Sequence, residues 1–99
     1  MFKITAMTRG VYQDLIDEFE LPQENLCSIN VGDVFYTDGI TKPEGLCDSA
    51  WETMIPFINS IKENKPIFRN WMRDDRKALV SCNDGFRPIS FLIERIDDK

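Results

Sequence analysis

The chain contains no histidine. That absence removes the commonest general base near neutral pH, the commonest nitrogen ligand for metals, and every Ser-His or Cys-His pair. Any catalysis would have to use Cys, Asp, Glu, Lys, Tyr or a cofactor. No apolar run approaches the ~20 residues needed to cross a bilayer, so no membrane association is expected. Cysteine is sparse and odd in number, three in all and none in a C-x-x-C pair. This fits free thiols in a reducing compartment better than a disulfide framework, and a cytoplasmic setting follows as the expectation. Glycine and proline number five each and form no linker or low-complexity tract. The opening MFKITAMTRG reads as a first strand and not as a signal peptide.

What is present is a chain of 99 residues, 42% apolar and 29% charged, with a net charge of −5. This is one domain, near the lower size at which a core supports folding without staples. The acidic balance argues against nucleic acid, because phosphate rewards clustered Lys and Arg. The charge is uneven: residues 1 to 48 hold nine acidic and three basic side chains, and residues 49 to 99 hold eight and nine. Lys65, Arg69, Arg73, Arg76 and Lys77 interleave with Phe68 and Trp71 in an anion-contacting composition, but Asp74 and Asp75 interrupt it. A solvated, salt-bridged loop is the expectation there.

Phe2, Ile4 and Ala6 alternate with Lys3, Thr5 and Met7, which predicts a strand over Phe2 to Thr8. After Gly10, Val11, Leu15 and Phe19, with Tyr12 and Ile16, recur at helical spacing and predict a short amphipathic helix ending before Pro22. Val34 to Thr37 is β-branched or aromatic throughout and bounded by Gly32-Asp33 and Asp38-Gly39, a second strand. A longer helix begins near Ser49, where S-A-W-E fits a capping box, although Cys47 or Asp48 would also serve as cap. Ala50, Met54, Ile58 and Ile61, widened by Trp51, Ile55 and Phe57, make it apolar enough to expect a sandwiched helix. Pro56 predicts a kink or a break within it. Lys77 to Cys82 and Ile89 to Ile96 are apolar strands joined by a turn containing Asp84-Gly85, a hairpin signal. The order β-α-β-α-β-β predicts an α+β fold for residues 1–99: a mainly antiparallel sheet, helices packed on one face, and a C-terminal hairpin.

Several features run through the chain together. They are KITAMTR at the start, Leu26-Cys27 followed by VGDVF, Pro43-x-Gly45-x-Cys47 before the helix containing Pro56, then Trp71 and Asp74, Cys82-x-Asp84, and F-x-I-x-R-I from Phe91. In these the chain resembles a family of short uncharacterised proteins of about this length, found mainly in anaerobic bacteria and archaea. The resemblance implies cysteines shared at the positions of Cys27, Cys47 and Cys82, and no settled activity. Ser28, Asp48 and Asn83 follow the cysteines here, where proline is more usual in the family.

Three candidate sites follow. Cys47, before a helix N-terminus, faces unpaired N–H groups and the positive end of the helix dipole, which favour a reactive thiolate. The adjacent Asp48 opposes that, and a buried structural cysteine is the other reading. As an enzyme, the chain would use Cys47 or Cys82 as nucleophile with Asp84 as acid or base. Cys27, Cys47 and Cys82 would form a soft-metal site, zinc for example, if three loops converged with Asp48 or Asp84 as fourth ligand. Trp51 and Trp71, closed by Arg87, would line a pocket for a small anion or carboxylate at the helix N-terminus. Set against that pocket are tryptophans in the core or an interface, and an Arg87 bridged to a neighbouring Asp. A binding or accessory module is favoured over an enzyme. A homo-oligomer is expected, because two Trp and seven Phe are many for so short a chain to bury alone.

Overall fold

A computed structural model of the chain describes residues 1–23, 27–65, 71–74 and 76–96. Leu26, Phe68, Arg69 and Asp75, named above, lie outside the described residues. The elements are β1 (Phe2–Arg9), α1 (Gln13–Phe19), β2 (Val34–Thr37), α2 (Asp48–Lys62), β3 (Lys77–Ser81) and β4 (Ile89–Arg95). The four strands form one sheet in the order β2-β1-β4-β3, and every neighbouring pair is antiparallel. The expected α+β architecture with a C-terminal hairpin is the one observed.

Alternation fixes which side chains meet. Ile4 lies opposite Phe35 on one side and Ile93 on the other, and Ala78 lies opposite Ile93 in turn. Successive strand residues point to opposite faces, so Phe2, Ile4, Ala6, Ala78, Val80, Ile89, Phe91 and Ile93 share one face, and all are buried. Against them α2 lays Ala50, Trp51, Met54, Ile58 and Ile61, spaced at three and four residues and also buried. Met7 is an extra residue where the β1–β4 register shifts between Ala6 and Thr8. Beyond this bulge Arg9 is opposite Ile89, on the core side, and donates from Nη2 to the Ile29 carbonyl.

The far end of α2 docks on the turn after β2. Lys62 Nζ donates to the Gly39 carbonyl at 3.0 Å. Gly39 has φ +87°, and a Cβ there would stand 2.6 Å from Lys62 Cε. The lysine end could move aside, so it is the left-handed backbone at this turn that favours glycine.

The longer helix departs from expectation in several details. α2 is not sandwiched: its buried residues form one stripe, and Glu52, Pro56 and Asn59 on the other side are exposed. Of the kink or break expected at Pro56, the break does not occur: α2 runs from Asp48 to Lys62 through Pro56, on the exposed side of the helix. Of the caps considered, the structure uses Cys47, two residues before Ser49, so the Ser49 capping box does not form, and Cys47 makes no side-chain cap hydrogen bond. Arg95 lies on the interior strand β4 and donates from Nη1 to the Ile61 carbonyl at 3.3 Å, tying the sheet to the end of α2.

The short helix differs most from its expected role. None of the residues of α1 is buried, and Phe19 is 66% exposed. Of the apolar stripe of α1, Ile16 is half-buried, whereas Val11, Tyr12, Leu15 and Phe19 are exposed. Among the described residues the second layer of the fold is therefore α2 alone, in keeping with a smallest molecular dimension of 20 Å, about one helix on one sheet.

Candidate binding surface

The three cysteines are free and occupy different settings, Cys27 and Cys47 exposed and Cys82 half-buried. Cys47 stands at the helix cap because the preceding turn directs the chain there. Pro43 and Leu46 are buried, the Leu46 N–H donates to the Pro43 carbonyl at 3.3 Å, and Gly45 has φ +90°. The Trp51 N–H then donates to the Cys47 carbonyl at 3.1 Å, the first bond of α2. Cys47 Sγ lies 3.6 Å from Ser49 Oγ. The reading of Cys47 as a buried structural cysteine is thus replaced by an exposed thiol. Asp48 is engaged elsewhere: Lys42 Nζ donates to it at 2.6 Å, and that hydrogen bond, followed by the lysine charge, lowers the Asp48 pKa.

Cys82 has a structural task. Its N–H donates to the Ile89 carbonyl at 3.0 Å, and its sulfur accepts the Ile89 N–H at 3.3 Å. The sulfur thus satisfies the backbone donor that closes the hairpin. Asp84 also serves the loop, its Oδ1 accepting N–H groups from Phe86 at 2.7 Å and Arg87 at 3.3 Å. This Asx turn explains Asp84 without acid or base work. Among the described residues, no group of three or more Cys, Asp or Glu side chains is placed to hold a metal ion. Cys27, Cys47 and Cys82 are therefore not gathered into the soft-metal site considered from the sequence.

The anion pocket fares no better. Trp51 is 8% exposed and belongs to the core, whereas Trp71 is 82% exposed. Arg87 Nη1 donates to both carboxylate oxygens of Glu20, at 2.8 and 3.0 Å, in a half-buried ion pair. The expected partner of Arg87 was a neighbouring Asp, and the actual one lies 67 residues away in sequence. A charge compensated in this way is a weak anchor for a small carboxylate.

The surface that stands out is the outer face of the sheet. Thr5 is opposite Val34 and Leu92, and Leu92 is opposite Leu79, so Val34, Thr5, Leu92 and Leu79 cross all four strands in one row. Beside it runs a second row, Tyr36, Lys3, Glu94 and Lys77, with the Lys77–Glu94 pair at 3.4 Å. Met7, Val34, Tyr36 and Leu79 are all more than 40% exposed. A shallow depression of about 450 Å³ lined by Val11, Tyr12, Gln13, Asp14 and Leu15 marks a second apolar surface, on α1. Scattered exposed apolar side chains are ordinary, but a row spanning a whole sheet is the pattern of a contact surface.

No protein-family model, curated protein or solved structure matches the chain. Sequence reasoning passed over the outer-face residues, although a signal for them existed. Strands VFYT, KALVS and ISFLIER carry apolar side chains at both odd and even positions, the composition of strands covered on both faces.

Proposed function

We propose that the protein is a non-catalytic binding or accessory module that works by protein–protein contact through the outer face of its sheet, its partner a second copy of the chain. One observation carries this reading: among the described residues the four-stranded sheet has a helix layer on one face only, while its other face bears a row, Val34, Thr5, Leu92 and Leu79, that is apolar on three of the four strands. A sheet face with such a row is stable in water when another layer covers it. The opposed signs of Lys3, Lys77 and Glu94 beside the row suit a self-complementary contact. The thiol reading has less support, because the group beside Cys47 is a serine hydroxyl and the nearby Asp48 is held by Lys42. The anion reading is weakened by the burial of Trp51 and the compensation of Arg87.

Sedimentation velocity over a wide concentration range, on the full chain and on a Val34→Ser/Tyr36→Ser/Leu79→Ser variant, tests this reading. The wild type is expected to self-associate. The variant is expected to stay monomeric while keeping its melting temperature within a few degrees, because these side chains bury little in the fold. Two proteins that are both monomeric at every concentration would overturn the reading.

A further inference from the structure

The open sheet face has a counterpart in the same chain, the unburied helix α1. Leu15 and Phe19 lie four residues apart on one side of α1, with Val11 one turn before them, and all three are exposed. The backbone keeps this helix away from its own sheet face. The N–H groups of Gly10 and Tyr12 donate to the carbonyls of Pro88 and Phe86, each at 2.8 Å, so the β1–β4 ladder continues past Arg9 and carries α1 beyond the end of the sheet. Glu20, just after α1, is then held on Arg87 in the hairpin loop. The helix is fixed at the sheet's end with Leu15 and Phe19 exposed, and among the described residues no element lies over Val34, Tyr36 and Leu79 at the edges of the sheet's outer face.

The two surfaces are also complementary in charge. α1 carries Asp14, Asp17 and Glu18 and no basic residue. The outer face carries Lys3 and Lys77, each opposite the single Glu94, so one positive charge is in excess beside the apolar row. Lys77 is paired with Glu94 at 3.4 Å, so a helix that is apolar on one side and acidic beside it fits a face that is largely apolar along one row and carries the positive charge of Lys3 along the next.

We infer that in solution α1 of one copy lies across the outer sheet face of a second copy and receives the same contact in return. Leu15 and Phe19 rest on the Leu79–Leu92 row, and the α1 carboxylates face Lys3. The exchange is reciprocal and closes as a two-fold dimer, which leaves neither surface free for further growth. This inference rests on the reading of the outer face as the docking surface and adds the element that covers it.

The test uses the full chain in sedimentation equilibrium, with two variants at exposed positions. Leu15→Lys/Phe19→Lys alters α1, and Lys77→Glu/Leu79→Glu alters the face. Each variant alone is expected to weaken the dimer about tenfold or more. An equal mixture of the two restores dimers, because one native α1–face contact remains and the other has its charges exchanged. Added salt weakens the wild-type dimer, a readout that needs no variant. Circular dichroism melts of each variant establish that it is folded. A dimer broken by the face variant but indifferent to the α1 variant, or a mixture that stays monomeric, overturns the α1 contact and leaves the sheet face as the docking surface. A wild type that is monomeric throughout, or a dimer indifferent to both variants, overturns both.

Discussion

Asp38 ends β2 and caps its own turn, its Oδ1 accepting N–H groups from Ile40 at 2.8 Å and Thr41 at 2.9 Å. Thr37, buried beside it, donates to the Thr41 carbonyl at 2.6 Å and accepts the Gly39 N–H at 3.0 Å. The backbone donors from Thr41 and then Ile40 lower the Asp38 pKa. A carboxylate with a depressed folded-state pKa adds stability above its unfolded pKa and loses it as pH falls through the folded value. Asp38→Asn keeps the acceptor oxygen but loses the charge, so it should destabilise the protein at neutral pH. The deficit should begin to shrink below about pH 4, where the unfolded carboxylate takes up its proton, and disappear only once the pH lies below the depressed folded value. Urea unfolding at neutral and acidic pH measures this, and an equal deficit at both would remove the role given to the charge. The cysteines supply a second expectation at this scale. With Cys27 and Cys47 exposed and Cys82 engaged by Ile89, a thiol reagent should modify two cysteines promptly in the native protein and the third only slowly. Cys82→Ser should remove the slow phase, and three thiols silent until denaturation would contradict the exposure of Cys47.

The elements themselves were largely legible in the sequence. β2 was expected over Val34 to Thr37 and occupies those residues, and β1, β3 and β4 end within one residue of expectation. Period-two alternation and turn residues are local signals, and they fix strands wherever a neighbour confirms the face. The same locality explains the failures. A 3.6-residue apolar stripe reveals that a helix has a greasy side, not whether the chain can cover it, so Val11, Leu15 and Phe19 gave the helix but not its exposure. The Glu20–Arg87 pair joins residues far apart in sequence, and no pattern near either one announces the other. The candidate site was read from cysteines and tryptophans because their chemistry is conspicuous, whereas the surface that emerged lies in alternate positions of ordinary strands. Pro56 shows tertiary packing overriding a local rule. Met54 and Ile58 on either side of it are buried against the sheet and hold the helix through a residue that disfavours it. Because Pro56 is exposed, Pro56→Ala should restore a backbone bond to Glu52 without disturbing the core. A gain of about 2 kcal/mol is expected, the helix preference offset in part by the freer unfolded chain. A denaturant midpoint that is unchanged or lower would show that the proline is instead matched to a bend in α2.

At the scale of the whole molecule, stability should be distributed as the burial is. β1 and β4 lie inside the sheet, pair on both sides and contribute Ile4, Ile89, Phe91 and Ile93 to the core, so their amides should open only when the protein unfolds. α1 is seven residues long with no buried side chain, too short to persist on helix propensity alone, and is held at its ends by Tyr12 and Glu20. In dilute solution its amides should exchange at least about a thousandfold faster than those of β4, a gap set by the several kcal/mol of global stability that protect the core alone. Raising the protein concentration changes only one of these environments. If α1 is covered by the sheet of a second copy, protection over residues 13–19 should climb with concentration while β1 and β4 stay as they were. The outward row of the sheet bonds through its backbone within its own protomer and has no slower state to gain. Hydrogen exchange followed by mass spectrometry at two concentrations reads both regions at once. Strong protection of α1 in dilute protein would mean that the helix is braced within its own chain, and the reciprocal contact would lose its structural reason.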